Sequence, residues 1–539
     1  MTDLRDQSEQ GRIPFRLRIG VTGHRQLDDE EALAGQVRRA IERIRELAPS
    51  SPYTQVLFAV MSPLAEGADR LVAREVLRDE RAVLEVPLPL PREEYLRDFE
   101  SDSSKREFDE LLARAKDVRL LPPSGSREEA YERADRYVVD RCDVLIALWD
   151  GEPPRGRGGT AEMVAYAREH RVPLIWISTK GQHEISEEPG SDQTRESLRR
   201  LDEYNRSKIA QECSERQVDR QGSELLAAAQ RSGAEALPVQ ALSAWVTPFY
   251  VRADLLAMRY QPWYHALTNA LFLLAAAAVA AVASQALFAP DKPELVWVEV
   301  GLMLGLLFIV GVGRRWRFND RWISYRFLAD RFRSAFFLAL AGLSGRREGG
   351  LERVYLGHPS EEWLRRAFSE VWGRRPQVEV SESAVEGLRR FLAEAWIQDQ
   401  INYHRRMSRK HGMRHLRLSR TTEFLFGATV LAAVLHALGL GGGGSAEPVS
   451  WANLLILLAI AMPALGAAVS GIRDQRDYLR HSERFGRMAH YLQSTKMRME
   501  AAPDIETVRE IAAEAEGLML EENRDWFVVL KFHDFELHV

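Results

Sequence analysis

The chain has 539 residues, too many for one core, and a prior of roughly 150 residues per domain asks for three or four units. Its 73 Lys+Arg against 78 Asp+Glu give a formal net charge of −5, which excludes a general nucleic-acid binder and leaves charge to be read cluster by cluster. Two cysteines, Cys142 and Cys213, are too few for a disulfide framework, lack metal-ligand spacing and fit a reducing setting.

Residues 1–11 are polar and charged, without the apolar core of a signal peptide, so the part that follows is expected to stay in the cytoplasm. Short apolar runs then alternate with amphipathic patterns. Strands are predicted at 16–22, 55–61, 82–86, 118–121, 144–149 and 173–177, and helices at 30–47, 68–77, 128–140 and 160–170. Buried strands alternating with helices mean an α/β head with a doubly wound, Rossmann-like parallel sheet over 12–180, which binds ligands outside the carboxyl ends of its strands.

Three loops at those ends carry suitable chemistry. Thr22-Gly23-His24-Arg25 follows the first strand: the glycine lets backbone approach a phosphate and Arg25 adds charge. Ser62-Pro63-Leu64-Ala65-Glu66-Gly67-Ala68-Asp69 follows the second and opens a helix on small residues; Asp69 there can also serve the helix N-terminus alone. The third runs from Asp150, Gly151 and Glu152 through Arg155, Arg157, Gly158, Gly159 and Thr160 to Glu162. It offers backbone and hydroxyl donors to phosphate oxygens together with two guanidinium groups. Considered singly, each loop is also compatible with an ordinary turn; together they favour a nucleotide-like ligand.

These loops resemble the SLOG superfamily, the Rossmann-like group that includes the DNA-processing protein A and Lonely guy families. Ile19-Gly20-Val21-Thr22-Gly23-His24-Arg25 is similar to its first-strand motif, and Ser62 to Asp69 to its Ser-Gly-Leu-Ala-x-Gly-Ile-Asp signature, with Pro63 in place of a glycine. Gly158-Gly159-Thr160-Ala161-Glu162 is similar to its Gly-Gly-x-Gly-Thr-x-x-Glu phosphate loop. The resemblance, over about a third of the chain, implies nucleotide binding. Glu162, the implied catalytic residue, stands one position too close to Thr160 for the Lonely guy spacing. One position turns a helical side chain by about 100°, which weighs against hydrolysis more than against binding.

Four apolar stretches follow, at 266–288, 295–312, 424–440 and 451–472, each near the roughly 20 residues that cross a hydrocarbon core. Short turns join them into two hairpins. Arginines crowd the other ends: Arg314, Arg315, Arg317 and Arg321 after the first hairpin, Arg409, Arg414, Arg417 and Arg420 before the second, and Arg473, Arg476 and Arg480 after it. The positive-inside rule then predicts a multi-pass protein of the cell inner (plasma) membrane with both termini cytoplasmic. Glu299 is the acidic residue well inside an apolar run, a snorkelling side chain or a pore-lining one. Gly301, Gly305 and Gly311 form a small-residue face suited to close helix packing, and Pro463 with Gly466 can kink the fourth span. His404, His411 and His415 lie in a basic helix and read as a solvated or lipid-headgroup face, not a metal site. The tail from Trp526 to Val539 alternates Phe527, Val529, Phe532 and Phe535 as a strand or docking segment would.

A shift of about 153 positions superposes the helices after the two hairpins, Tyr325 on Tyr478 and Phe332 on Phe485. Trp322, Tyr325, Ala329, Phe332, Phe336 and Ala339 keep heptad spacing, as do Tyr478, Ser482, Phe485, Ala489 and Leu492, for packing onto the head or between stalks. Units are expected at 12–180, 181–375 and 376–539. The hairpin, Trp322-x-x-Tyr325 leading to Ala329-Asp330-Arg331-Phe332, and Trp396-Ile397-x-x-Gln400-x-x-Tyr403-His404 resemble the SLATT family, a two-span effector domain found beside nucleotide-sensing modules in bacterial conflict systems. Two tandem copies would cover roughly the part after Arg200. The resemblance implies membrane pores acting on the host cell, in anti-phage defence.

No zinc spacing, P-loop or serine nucleophile elbow occurs. The expected function is a cytoplasmic nucleotide sensor gating a membrane effector. Its ligand is a cyclic oligonucleotide, an ADP-ribose-like compound or a mononucleotide, no other cofactor is called for, and the partners are the lipid bilayer and further copies of the chain, because four spans are few for a conducting path. The alternatives are a membrane-anchored nucleotide N-glycosidase using Glu162 and a membrane scaffold.

Overall fold

The computed structural model describes residues 11–153, 158–181, 183–343, 361–439 and 450–531. They form two compact units, one of Arg12–Lys208 with Tyr355–Arg374, the other of Met1–Gly11, Ile209–Val354 and Arg375–Val539.

The first unit is a seven-stranded sheet in the order β4-β3-β2-β1-β5-β6-β7. Its strands are β1 (Phe15–Gly23), β2 (Val56–Met61), β3 (Val83–Leu88), β4 (Asp117–Leu120), β5 (Val144–Trp149), β6 (Leu174–Ser178) and β7 (Ile185–Glu188). All neighbours are parallel except β6 and β7. The central runs β2 and β5 are apolar almost without alternation because helices cover both faces, while β1 alternates Arg16 and Arg18 with Phe15, Leu17 and Ile19 before becoming buried throughout from Ile19 to Thr22. These helices are α1 (Glu30–Leu47), α2 (Ala68–Val76), α3 (Asp102–Ala113), α4 (Arg127–Arg141) and α5 (Thr160–Glu169), followed by α6 (Gln193–Arg206). Helix α1 shows why they form: Asp29 caps the Ala32 N–H at 3.0 Å, Glu30 and Glu31 fill its first turn, and Leu33, Val37, Ala40, Ile41 and Ile44 make one buried stripe. Chain order reverses direction between β1 and β5, which places the switch-point crevice at their carboxyl ends.

The compact head reaches past residue 180 and takes in a helix from much later in the chain. Residues Glu362–Trp372, α11 in the numbering below, pack on α6 and β1. Arg366 forms a buried ion pair with Asp143, whose carboxylate also accepts from the Arg18 N–H (2.8 Å) and the Thr194 hydroxyl (2.9 Å). Arg16 grips Glu370 with two bonds of 2.7 and 2.9 Å. Burial would raise the carboxyls of Asp143 and Glu370, but these arginines outweigh it and hold both low, Glu370 at about 2.

The second unit is helical: α7 (Gln211–Ser232), α8 (Val239–Phe288), α9 (Val296–Trp316), α10 (Phe318–Leu340), then, beyond α11, α12 (Asp399–Ala437), α13 (Trp451–Gln475), α14 (Tyr478–Glu500) and α15 (Ile505–Lys531). Four of these are long and apolar enough to cross a membrane, and only 6 to 11% of their most apolar windows is buried. Apolar surface left bare on this scale is matched to lipid, not to water. Exposed tryptophans bracket it: Trp263 and Trp316 at the arginine-rich end, Trp297 and Trp451 at the other. Nineteen residues separate Trp297 from Trp316, roughly 28 Å of helix, close to a hydrocarbon core with interfacial aromatics at each edge.

Both stalks begin at a left-handed residue, Arg317 (φ 50°) before α10 and Asp477 (φ 41°) before α14. These breaks lie 160 positions apart (477 minus 317), seven more than the shift of about 153 read from the sequence. The heptad stripes are seams within each hairpin. Trp322, Tyr325 and Phe332 pack tilted or edge-on against Tyr264, Tyr260 and Phe249 of α8, with ring centroids 5.5, 5.7 and 5.8 Å apart. In the second copy Ser482 and Ser408 exchange hydroxyl-to-carbonyl bonds of 2.8 Å in both directions between α14 and α12. A Cβ added at Gly301 or Gly311 would meet nothing within 4 Å among the described residues, and one at Gly305 only Leu274 of α8 at 3.9 Å, so the predicted small-residue face makes no close helix packing there. Close approach falls instead at Gly471, against Phe272, and at Gly466, against Phe426. The C-terminal segment is helical to Lys531 where a strand was expected, with Phe527 buried on Phe327 of α10; residues 532–539 lie outside the described part.

Candidate ligand site

At the carboxyl ends of β1, β2 and β5 the head holds a cavity of about 340 Å³, within the size range of small-ligand sites. Thr22, Gly23, His24, Arg25, Asp69, Asp150, Gly158, Gly159 and Thr160 line it, so all three predicted loops converge there. Glycine makes the convergence feasible. A Cβ on Gly23 would lie 2.4 Å from that of Ala68, and one on Gly67, at φ 79°, 2.3 Å from the Arg25 carbonyl oxygen.

The other predicted residues lie around this cavity. Ser62 is buried behind Asp69, donating its hydroxyl at 2.7 Å, and Gly67 forms the seam between two loops. Gly151 rests against Trp176. Glu162 is not in the lining: its carboxylate turns back to accept from the Gly158 N–H at 2.8 Å and lies 3.6 Å from Arg136. Arg155 and Arg157 lie outside the described residues. Glu299 stands in the first turn of α9, in the other unit.

The cavity also recruits residues that the loops do not contain: Tyr95, Glu128, Tyr131, Asp135 and Trp149. Glu128, Tyr131 and Asp135 share one face of α4 at helical spacing, and an acid on the stripe of Ala130, Ala134 and Val138 was the available signal. Tyr131 and Trp149 present aromatic faces. Helix α5 begins at Thr160 behind Gly159, which as a glycine supplies no side-chain cap to its first turn. The Arg25 guanidinium stands over the Tyr131 ring at 5.4 Å and has no carboxylate partner among the described residues. In an adjoining cavity of about 860 Å³, by contrast, Arg70 pairs with Glu107 at 3.1 Å, Lys180 with Glu152 at 3.0 Å and Arg74 with Glu30 and Glu107. Asp150 is held below the carboxylate range: burial opposes this, but the Glu152 N–H, His24 and Lys180 prevail.

Two carboxyls on the cavity wall are proton-retaining. Burial raises Asp69 to about 6 against the Ser62 hydroxyl, the Ala65 N–H and the charges of Arg25 and Arg70. Burial and then the charge of Asp69 push Asp135 up as well. A carboxyl with a raised native pKa stabilises the fold fully below its unfolded value, near 4, and loses that contribution as pH rises through the native one. The head is therefore expected to lose stability as pH rises from about 4.5 to 7, with Asp69 alone contributing roughly 1–3 kcal/mol and Asp135 acting in the same direction. Thermal melts of the full chain across that range check it: the fall should flatten in Asp69→Asn, and an unchanged slope counts against the assignment.

Leu64 adopts φ 61°, a conformation seldom seen for leucine, held by complete burial and by Arg70 donating to its carbonyl at 3.1 Å. Backbone strain of this kind concentrates at binding loops. Fold and site together define a Rossmann-like α/β unit with a switch-point cavity, joined in one chain to a helical unit with four span-length apolar helices. No protein-family model matches the sequence, and no curated protein matches it.

Proposed function

We propose that the head is a cytoplasmic sensor of a nucleotide-derived, phosphate-bearing ligand, and that it gates a membrane effector formed by the four apolar helices in an assembly of several chains. The observation that carries the reading is Arg25, which has no carboxylate ion pair among the described residues, at a cavity that also offers glycine-rich backbone, a helix start without a side-chain cap and aromatic faces. Phosphate oxygens suit the guanidinium and the N–H groups, a base suits Tyr131 and Trp149, and ribose hydroxyls suit Asp69 and Asp135. The SLOG-like and SLATT-like motifs agree with this pairing and with a place in anti-phage defence at the inner membrane. Helix α11 gives the sensor a handle, because the stretch of chain between the two hairpins is clamped to the head by Arg366 and Glu370.

Thermal stabilisation of the detergent-solubilised full chain by cyclic oligonucleotides, ADP-ribose-like compounds and mononucleotides tests the sensor. A saturable shift lost in Thr160→Ala and Arg157→Ala supports it; no shift from any of them in a folded chain speaks for a scaffold. The same samples separate the glycosidase alternative, which requires release of free base that disappears in Glu162→Ala.

A further inference from the structure

The helical unit contains a second cavity, of about 310 Å³, walled by α8, α10, α12, α14 and α15 near the arginine-rich ends of the apolar helices. Two of the three basic-helix histidines read as a solvated face, His404 and His411, turn into it, while His415 does not line it. His404 is buried, and His411 lies between the rings of Tyr478, His481 and Phe485, at 5.5, 5.8 and 5.5 Å. His265 enters from α8, its ring 5.2 Å from that of Trp322. The Nδ1 atoms of His265, His404 and His411 are buried and have no hydrogen-bond partner among the described residues. Buried polar nitrogens are nearly always satisfied, so three around one cavity call for a ligand rich in oxygen.

The charges say which kind. Deep in the cavity Arg326 is neutralised by Asp254 and Asp330, at 2.9 and 3.0 Å, and Arg333 by Asp399. Toward the spans Lys410, Arg414 and Arg476 have no carboxylate partner among the described residues. Arg476 is already aimed: its guanidinium donates to Asn269 Oδ1 at 2.7 Å and to the His265 carbonyl at 3.1 Å, which fixes it across α8 with its Nε unsatisfied. Cations without counterions beside unsatisfied imidazoles fit a tetrahedral oxyanion, which accepts several charge-assisted bonds at once.

We propose that the cavity walled by His265, His411, His481, Lys410, Arg414 and Arg476 is a phosphate-binding site, distinct from the cavity of the head. Its occupant carries a phosphate group, either the phosphodiester of an anionic lipid whose chains lie on the exposed apolar helices, or a free phosphate. In that place a phosphate ties α8, the entry helix of the first hairpin, to α12 and α14 of the second.

Native mass spectrometry of the full chain in detergent, titrated with phosphatidylglycerol and with phosphatidylcholine of the same chains, tests the lipid source; thermal shift with inorganic phosphate and pyrophosphate tests the free one. The expected result is saturable binding of one of these anions, weakened at least about tenfold in Lys410→Gln/Arg414→Gln and in Arg476→Gln. The exposed pair Arg417→Gln/Arg420→Gln, outside the cavity, should change it far less. Phosphatidylglycerol binding with this pattern assigns a lipid, and phosphate or pyrophosphate binding with it assigns a soluble anion. The proposal is overturned if neither anion binds saturably, or if binding survives in the Lys410/Arg414 pair with circular dichroism unchanged. That pair decides the matter should Arg476→Gln fail to fold.

Discussion

Replacing Arg366 by Ala is expected to destabilise the head by about 3–5 kcal/mol, the cost of leaving one member of a buried ion pair without the other. Asp143 is almost wholly buried and would keep the Arg18 N–H and the Thr194 hydroxyl, with the Arg18 guanidinium, itself paired with Glu85, as a remaining nearby charge. The loss would fall where β1 meets β5, since the Asp143 N–H also donates to the Arg18 carbonyl at the start of their pairing. For a unit of this size it corresponds to a melting point lower by roughly 6–20 °C. Hydrogen exchange in β1 and β5 of the full chain, followed against temperature, reads it directly. The neighbouring Arg365→Ala serves as control, because Arg365 pairs only locally with Glu362 and should cost at most about 1 kcal/mol. Equal effects from the two substitutions would remove α11 from its role as handle.

Arg25→Ala should act in the opposite way, leaving stability nearly unchanged and weakening ligand binding by about 10- to 100-fold, the range of one or two charge-assisted bonds. The guanidinium holds no carboxylate in the described structure and rests on Tyr131, so its removal orphans nothing. It also lowers the ionisation cost of Asp69 and Asp135, both of which feel its charge. The variant should therefore bind with a stronger dependence on pH than the unaltered chain. Calorimetric titration with whichever nucleotide stabilises the protein measures both effects, and affinity unchanged by Arg25→Ala would move the phosphate elsewhere.

Local features were legible in the sequence, whereas long-range pairings were not. The β2 and β5 strands announced themselves by unbroken apolar runs, β1 by alternation leading into Ile19-Gly20-Val21, and α1 by a clean helical stripe, and the three glycine loops fell at strand ends, where a doubly wound sheet collects ligands. The antiparallel β7, four residues with two glutamates, carries no apolar pattern to announce it. Asp143 and Arg366 are 223 positions apart, and no periodicity connects them. Asp135 and Tyr131 entered the site from α4, a helix that read as ordinary cover for the sheet. Spacing alone does not fix the register of the two copies, because a shift of seven leaves a heptad pattern nearly unchanged, and the helix breaks at Arg317 and Asp477 are backbone features without a residue signature. Gly301, Gly305 and Gly311 show the same limit, since spacing reveals a smooth face but not whether a neighbour covers it.

The central claim is that occupancy of the head governs the membrane unit. The most direct test reconstitutes the full chain in vesicles loaded with a self-quenching dye and adds the nucleotide that stabilises it. The expected result is dye release that saturates with nucleotide, shifts to at least about tenfold higher concentration in Arg25→Ala and is absent from vesicles without protein. Vesicles that stay sealed while the nucleotide is demonstrably bound would contradict the account and leave the head a sensor of something other than a pore.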